Sequence, residues 1–108
     1  MNDIPLTIRL PSELNLQLAT ASKFLGLTKT NLLRATIHHD LARDGENLRF
    51  TAPVSGKKHR LVFNVNRLTF EILENISARH GQTMNAVIVA VAMLAVELSA
   101  TWLRSVSE

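Results

Sequence analysis

The residues with chemistry to offer are the basic ones, and they are unevenly placed. Between Glu46 and Glu71 there is no acid, while Arg49, Lys57, Lys58, Arg60 and Arg67 all fall there. From Leu14 to His39 acids are again absent, and Lys23, Lys29 and Arg34 are present. The net charge of +3 hides this clustering. Basic stretches without interleaved acids create a local positive potential, which favours phosphate backbones over neutral partners. A solvated basic surface accounts for the charge alone equally well, so the elements that hold these residues must decide.

Other chemistries find little support. The histidines are His38, His39, His59 and His80, and there is no cysteine. Neighbouring histidines on a helix point about 100° apart, so His38 and His39 cannot share a face. Without thiolates or suitably spaced carboxylates no metal site is expected, and all four histidines read as solvated surface. The absence of tyrosine excludes cutting DNA by tyrosine transesterification. No paired acids and no glycine-rich phosphate loop occur. The chain therefore reads as a non-enzyme, with no catalytic residue, metal or cofactor expected.

A hydrophobic fraction of 46% against 19% charged residues implies a folded domain, and 108 residues suit one core rather than two. The lack of cysteine suits a reducing cytoplasm. Met1 to Pro11 has no basic region leading into an apolar run, so no secretory signal is expected.

The same order of elements is expected twice. Leu6, Ile8 and Leu10 alternate with Thr7 and Arg9, the period of a half-buried strand of about six residues. Pro11-Ser12-Glu13 stops it and offers Ser12 as a helix N-cap. Leu14, Leu18, Ala21 and Leu25 follow at helical spacing until Gly26. Thr28 caps a second helix with Leu32, Leu33, Thr36, Ile37 and Leu41 inward, closed by Asp44-Gly45.

Shifted by 55 residues the pattern returns. Leu61, Phe63 and Val65 alternate with Val62 and Asn64. Phe70, Leu73 and Ile76 lie inward on a helix ending at Gly81. Thr83 then caps a helix with Val87, Ile88, Val91 and Ala92 inward. The first helix of this second repeat has two possible registers, one following the offset and one capped by Asn66. The expected organisation is a single domain over 1–108. Its repeats cover 5–45 and 60–105, joined by a linker over 46–59 that contains Pro53 and Gly56.

Lone strands cannot satisfy their own backbone groups. The economical solution is that the two pair with each other, antiparallel, each turning an apolar side onto the helices. The other face of such a ribbon looks outward, and a two-stranded ribbon is narrow enough to enter the DNA major groove.

The segment Leu6-Thr7-Ile8-Arg9-Leu10-Pro11-Ser12-Glu13-Leu14, followed by Gly26-Leu27-Thr28-Lys29-Thr30-Asn31-Leu32-Leu33, resembles the ribbon-helix-helix (MetJ/Arc/CopG) family. The likeness is good over Leu6 to Leu41 and looser over Arg60 to Val96. By architecture, a tandem chain is similar to TraY-like and VirC2-like accessory proteins of plasmid conjugation and T-DNA transfer. The fold class this implies is mainly α with one short antiparallel β-ribbon, a tandem ribbon-helix-helix forming an intramolecular pseudo-dimer.

The resemblance also implies sequence-specific binding of double-stranded DNA, with outward ribbon residues reading base edges. Here these are Thr7, Arg9, Arg60, Val62 and Asn64. Their types fit, since Arg pairs with guanine, Asn with adenine, and Val62 can touch a thymine methyl. Phosphates are expected at the starts of the second helices, on Thr28, Lys29 and Thr30, and on Thr83 and Asn85, with Lys58 added to that set. Met84 brings no charge, so the second clamp should be the weaker. Pro5 stands where the family often places a base-reading Lys or Arg. The two strands differ at every outward position, which points to an asymmetric target.

The implied roles are a cytoplasmic accessory factor in DNA transfer or plasmid processing, with a relaxase or other DNA-processing protein as partner, or a transcriptional repressor. Self-association on DNA is compatible with both. A protein-interaction or membrane-attached adaptor on the same fold is the third reading. From Met84 to Leu103 the one charge is Glu97. Asn85, Ser99, Thr101 and five alanines interrupt or dilute that run, so a long core helix is expected rather than a membrane span. Val89, Met93, Leu98 and Trp102 would form its additional apolar face.

Overall fold

The computed structural model describes residues 3–41, 48–50 and 56–107. Expectations placed on Asp44, Gly45, Glu46 and Pro53, and on the side chains of Leu41 and Trp102, lie outside the described residues. Strand β1 (Ile4–Pro11) leads into α1 (Ser12–Leu25) and α2 (Lys29–Thr36), whose end continues as a π-helical turn, Ile37–Leu41. Strand β2 (Lys58–Val65), α3 (Arg67–His80) and α4 (Met84–Ser107) complete the chain.

The strands pair antiparallel as a two-stranded sheet, with Thr7 opposite Val62 at the centre and Arg9 opposite Arg60. Proline has no N–H to give, so Pro5 and Pro11 belong at pairs that exchange no ladder bonds. Alternation puts Thr7 and Arg9 at such positions too. Inward, Ile8, Leu10, Phe63 and Val65 are buried, and Ile4, Leu6 and Leu61 pack beside them.

The helices cover that face, with α4 packed against β1, α1, α2 and α3. Its Val87, Ile88, Ala90, Val91, Ala92 and Ala95 are buried. Over Met84–Thr101 the helix is long and apolar enough to cross a membrane. In this fold those buried residues make it the centre of a compact globular core instead. A radius of gyration of 13.4 Å agrees with about 13 Å for one domain of this length.

The sequence-based fold class requires correction. The ribbon is not a short appendage: both strands run eight residues and form one layer of a small α/β fold that is 66% helical. The described parts of the halves also differ in kind, since the second helix passes into a π turn at Ile37–Leu41 in one half and is α-helical over Met84–Ser107 in the other. What the structure shows is the order β-α-α-β-α-α, consistent with a tandem β-α-α fold. The ribbon was underestimated because Lys58 and His59, assigned to the linker, lack the apolar alternation that marks a strand, yet both pair with β1.

Local signals were partly misread. Pro11, not Ser12, occupies the N-cap of α1, and no side chain caps it. The Ser12 hydroxyl instead donates to the Lys57 carbonyl at 3.0 Å, beside a bond from the Ser12 N–H to the same oxygen. Asn66 caps α3 through the Thr69 N–H, and Arg67 still opens that helix at the 55-residue offset from Ser12. Linker residues also join the core, since Leu48 is buried and Phe50 packs against it.

Two histidines are not simple solvated surface. His38 Nε2 hydrogen-bonds the buried Thr69 hydroxyl at 2.7 Å. The His80 ring lies 5.1 Å from Phe50, and its Nε2 is buried without a partner among the described residues.

Candidate functional site

The outward row of the ribbon carries Pro5, Thr7 and Arg9 from β1, and Lys58, Arg60, Val62 and Asn64 from β2, all exposed. The five residues expected to face a duplex therefore share one surface. The register adds that Arg9 and Arg60 lie directly across from each other, with Lys58 two positions along the same strand. Pairs that exchange no ladder bonds bring Cα atoms to about 4.5 Å, and like charges placed so are destabilising. Among the described residues no carboxylate pairs with either arginine. The described residues offer this repulsion no internal counterion.

The helix starts flank the ribbon. Thr28 and Thr83, expected on phosphates, act as N-caps: their hydroxyls accept from the Asn31 and Ala86 N–H groups, each at 3.1 Å. Thr28 also shares a hydrogen bond with the Thr30 hydroxyl at 3.3 Å. By helix geometry the amides of Lys29, Thr30, Met84 and Asn85 have no intrahelical acceptor, so they point outward as donors. The Lys29 ammonium donates to Asn15 Oδ1 at 2.9 Å, which ties it to α1.

Asn85 has a different job from the expected one. Its Oδ1 accepts from the Arg9 N–H at 2.8 Å, and its Nδ2 donates to the Arg9 carbonyl at 3.2 Å. The side chain thus extends the β1 edge with both bonds a neighbouring strand would make, and its polar atoms are engaged with the protein.

The equivalent place on β2 is held by Arg34, which sequence reasoning did not single out. Its Nε and Nη2 donate to the Asn64 carbonyl at 3.1 and 2.6 Å, and its Nη1 to Asn31 Oδ1 at 2.7 Å. The guanidinium carbon also sits 5.5 Å from the Phe63 ring centroid. Asn31 three residues before Arg34 is a helical neighbour readable in sequence, but the bond to β2 is not.

These contacts hold the main chain beneath the outward side chains of Arg9 and Asn64. The α4 start lies at the Arg9–Arg60 end of the ribbon, and Arg34 links α2 to the Pro5–Asn64 end. The arrangement offers a narrow ridge, cationic at the Arg9–Arg60 end, with helix amides on each flank. No protein-family model, curated protein or solved structure matches the chain.

Proposed function

We propose that this protein binds double-stranded DNA by seating the β1–β2 ribbon in the major groove, as a member of the ribbon-helix-helix family. The observation that supports this most is Arg9 opposed to Arg60 on the exposed ribbon face, with no carboxylate partner among the described residues. An anionic, acceptor-rich partner relieves their repulsion, and guanine edges between two phosphate rows supply both kinds of relief. Strands about 4.8 Å apart fit a groove about 12 Å wide. Arg9, Arg60 and Asn64 read bases, with Thr7 and Val62 in support. Lys58, Lys29 and the amides opening α2 and α4 hold phosphates. The biological setting proposed is cytoplasmic: an accessory factor in conjugative or T-DNA transfer, acting beside a DNA-processing enzyme.

The test is binding of labelled duplex across a salt series by wild type and by an Arg9→Ala, Arg60→Ala double variant. Steep salt dependence for wild type, with loss of preference among sequences in the variant, is the expected result. Equal binding and equal preference in both would remove the ribbon from the reading surface.

A further inference from the structure

The two arginines are not distributed as a twofold ribbon would distribute them. At the 55-residue offset Arg60 corresponds to Pro5, Arg9 to Asn64, and Lys58 to Asp3. An antiparallel ribbon of identical strands carries each residue once at both ends. Here the unlike residues sort by charge. One end holds Arg9, Arg60 and Lys58, the centre holds Thr7 and Val62, and the other end holds Pro5 and Asn64. Arg34 also reaches that second end, but its guanidinium is held on the Asn64 carbonyl and on Asn31 rather than in the outward row, and Asp3 is exposed there one residue before β1.

We infer that the ribbon reads its duplex with a fixed polarity, guanines being specified in one half of the site alone, under the Arg9–Arg60 end. This rests on the proposed DNA reading and goes beyond it by assigning base classes to each half. Four residue steps along the strand lead from Pro5 to Arg9, roughly 13 Å, which spans about four base pairs. Guanine presents two acceptors, O6 and N7, to the major groove, and arginine is the donor fork that matches them. At the far end Pro5 offers no donor, Asn64 suits adenine, and Asp3 repels phosphate while accepting from amino groups. A guanine there meets only the Asn64 amide, a weaker match to O6 and N7 than the arginine fork. One chain therefore binds one strand direction, and an inverted repeat is not its preferred site.

The experiment is selection of binding sites from a random-sequence duplex pool by the full chain, repeated with Arg60→Ala and Asn64→Ala. The expected consensus has its guanines on one side of the centre. Arg60→Ala should erase preference at one or more of those guanines, about tenfold per position, and Asn64→Ala should leave them untouched. An inverted-repeat consensus, or guanines selected on both sides, overturns the polarity while the DNA reading stands. Retained duplex with no enriched sequence overturns it as well. No retention of any duplex at low salt defeats the DNA reading itself, and the polarity with it.

Discussion

Asn85 and Arg9 lie 76 residues apart in sequence, yet one side-chain amide satisfies both main-chain groups of the other residue. Through this pair the start of α4 sets the height and tilt of β1 at its cationic end. Substituting Asn85 with Ala returns an N–H and a carbonyl at a strand edge to water. Each such bond nets about 0.5–1.5 kcal/mol, and water replaces part of it at an exposed site, so a loss of about 1 kcal/mol is expected. Urea unfolding measures it, with the midpoint falling and the slope unchanged. Asn85→Asp keeps the acceptor but loses the donor. It also adds negative charge beside Arg9, so duplex affinity should drop, and by less at high salt.

Arg34 performs the matching task on β2 by other means, with a charged fork on the Asn64 carbonyl and a ring contact with Phe63. Arg34→Ala should cost about 1–2 kcal/mol, the lower range for charged-donor bonds at a half-buried position. Arg34→Lys keeps the charge without the planar fork and should recover less than half of the loss. Asn64→Ala leaves the carbonyl in place, so its effect on stability should stay within about 0.5 kcal/mol. Thermal or urea unfolding of the three variants separates a grip on main chain from one on the Asn64 side chain.

Gly26 and Gly81 end α1 and α3 with φ of 72° and 62°. In each case the residue after the glycine donates back into the helix, Leu27 to Ser22 at 2.8 Å and Gln82 to Ser77 at 3.0 Å. A Cβ at either glycine meets nothing within 4 Å, so the cost of Ala is backbone strain alone. Gly26→Ala and Gly81→Ala should each destabilise by about 1–2 kcal/mol, and the double variant by the sum. Helix content by circular dichroism should be unchanged below the transition.

Signals that act locally were readable in the chain. Leu6, Ile8 and Leu10, with Phe63 and Val65, announce strands because a sheet alternates faces residue by residue. Gly26 and Gly81 mark helix ends because few other residues tolerate a positive φ, and Thr28 and Thr83 mark helix starts because their hydroxyls accept from a free helix amide. The signals that failed depend on tertiary partners. Ser12 looks like a cap but bonds to Lys57, which only the paired ribbon brings near. Asn85 looks like a free group at a helix start, but the approach of β1 engages it. His38 looks solvated until α3 presents Thr69. The opposition of Arg9 and Arg60 needed the register, and a shift of one residue would have sent one arginine inward.

Phe63 and Val62 are adjacent in β2 and face opposite ways, 0% and 48% exposed. Phe63→Ala removes a ring from the centre of the core and should cost about 3–5 kcal/mol, enough to unfold much of the protein. Val62→Ala should change stability by no more than about 0.5 kcal/mol, because its side chain packs on nothing inside. Comparing their urea midpoints tests which face of the ribbon is the core face.

The opposed arginines make the sharpest demand, because their effects on folding and on binding should have opposite signs. Arg60→Ala removes a like-charge pair across β1 and β2 that has no counterion among the described residues. Cross-strand pairs are worth roughly 0.2–1 kcal/mol, so the free protein should gain a few tenths of a kcal/mol. The same change should weaken binding to a selected duplex by about 1–3 kcal/mol and relax preference at one position. Lys58→Ala should weaken binding evenly across sequences and lower the salt slope by about one. A loss of stability in Arg60→Ala, with binding unaltered, would make the pair structural instead. The opposite sign is expected because two cations facing each other on an open surface stabilise nothing until an anion lies over them.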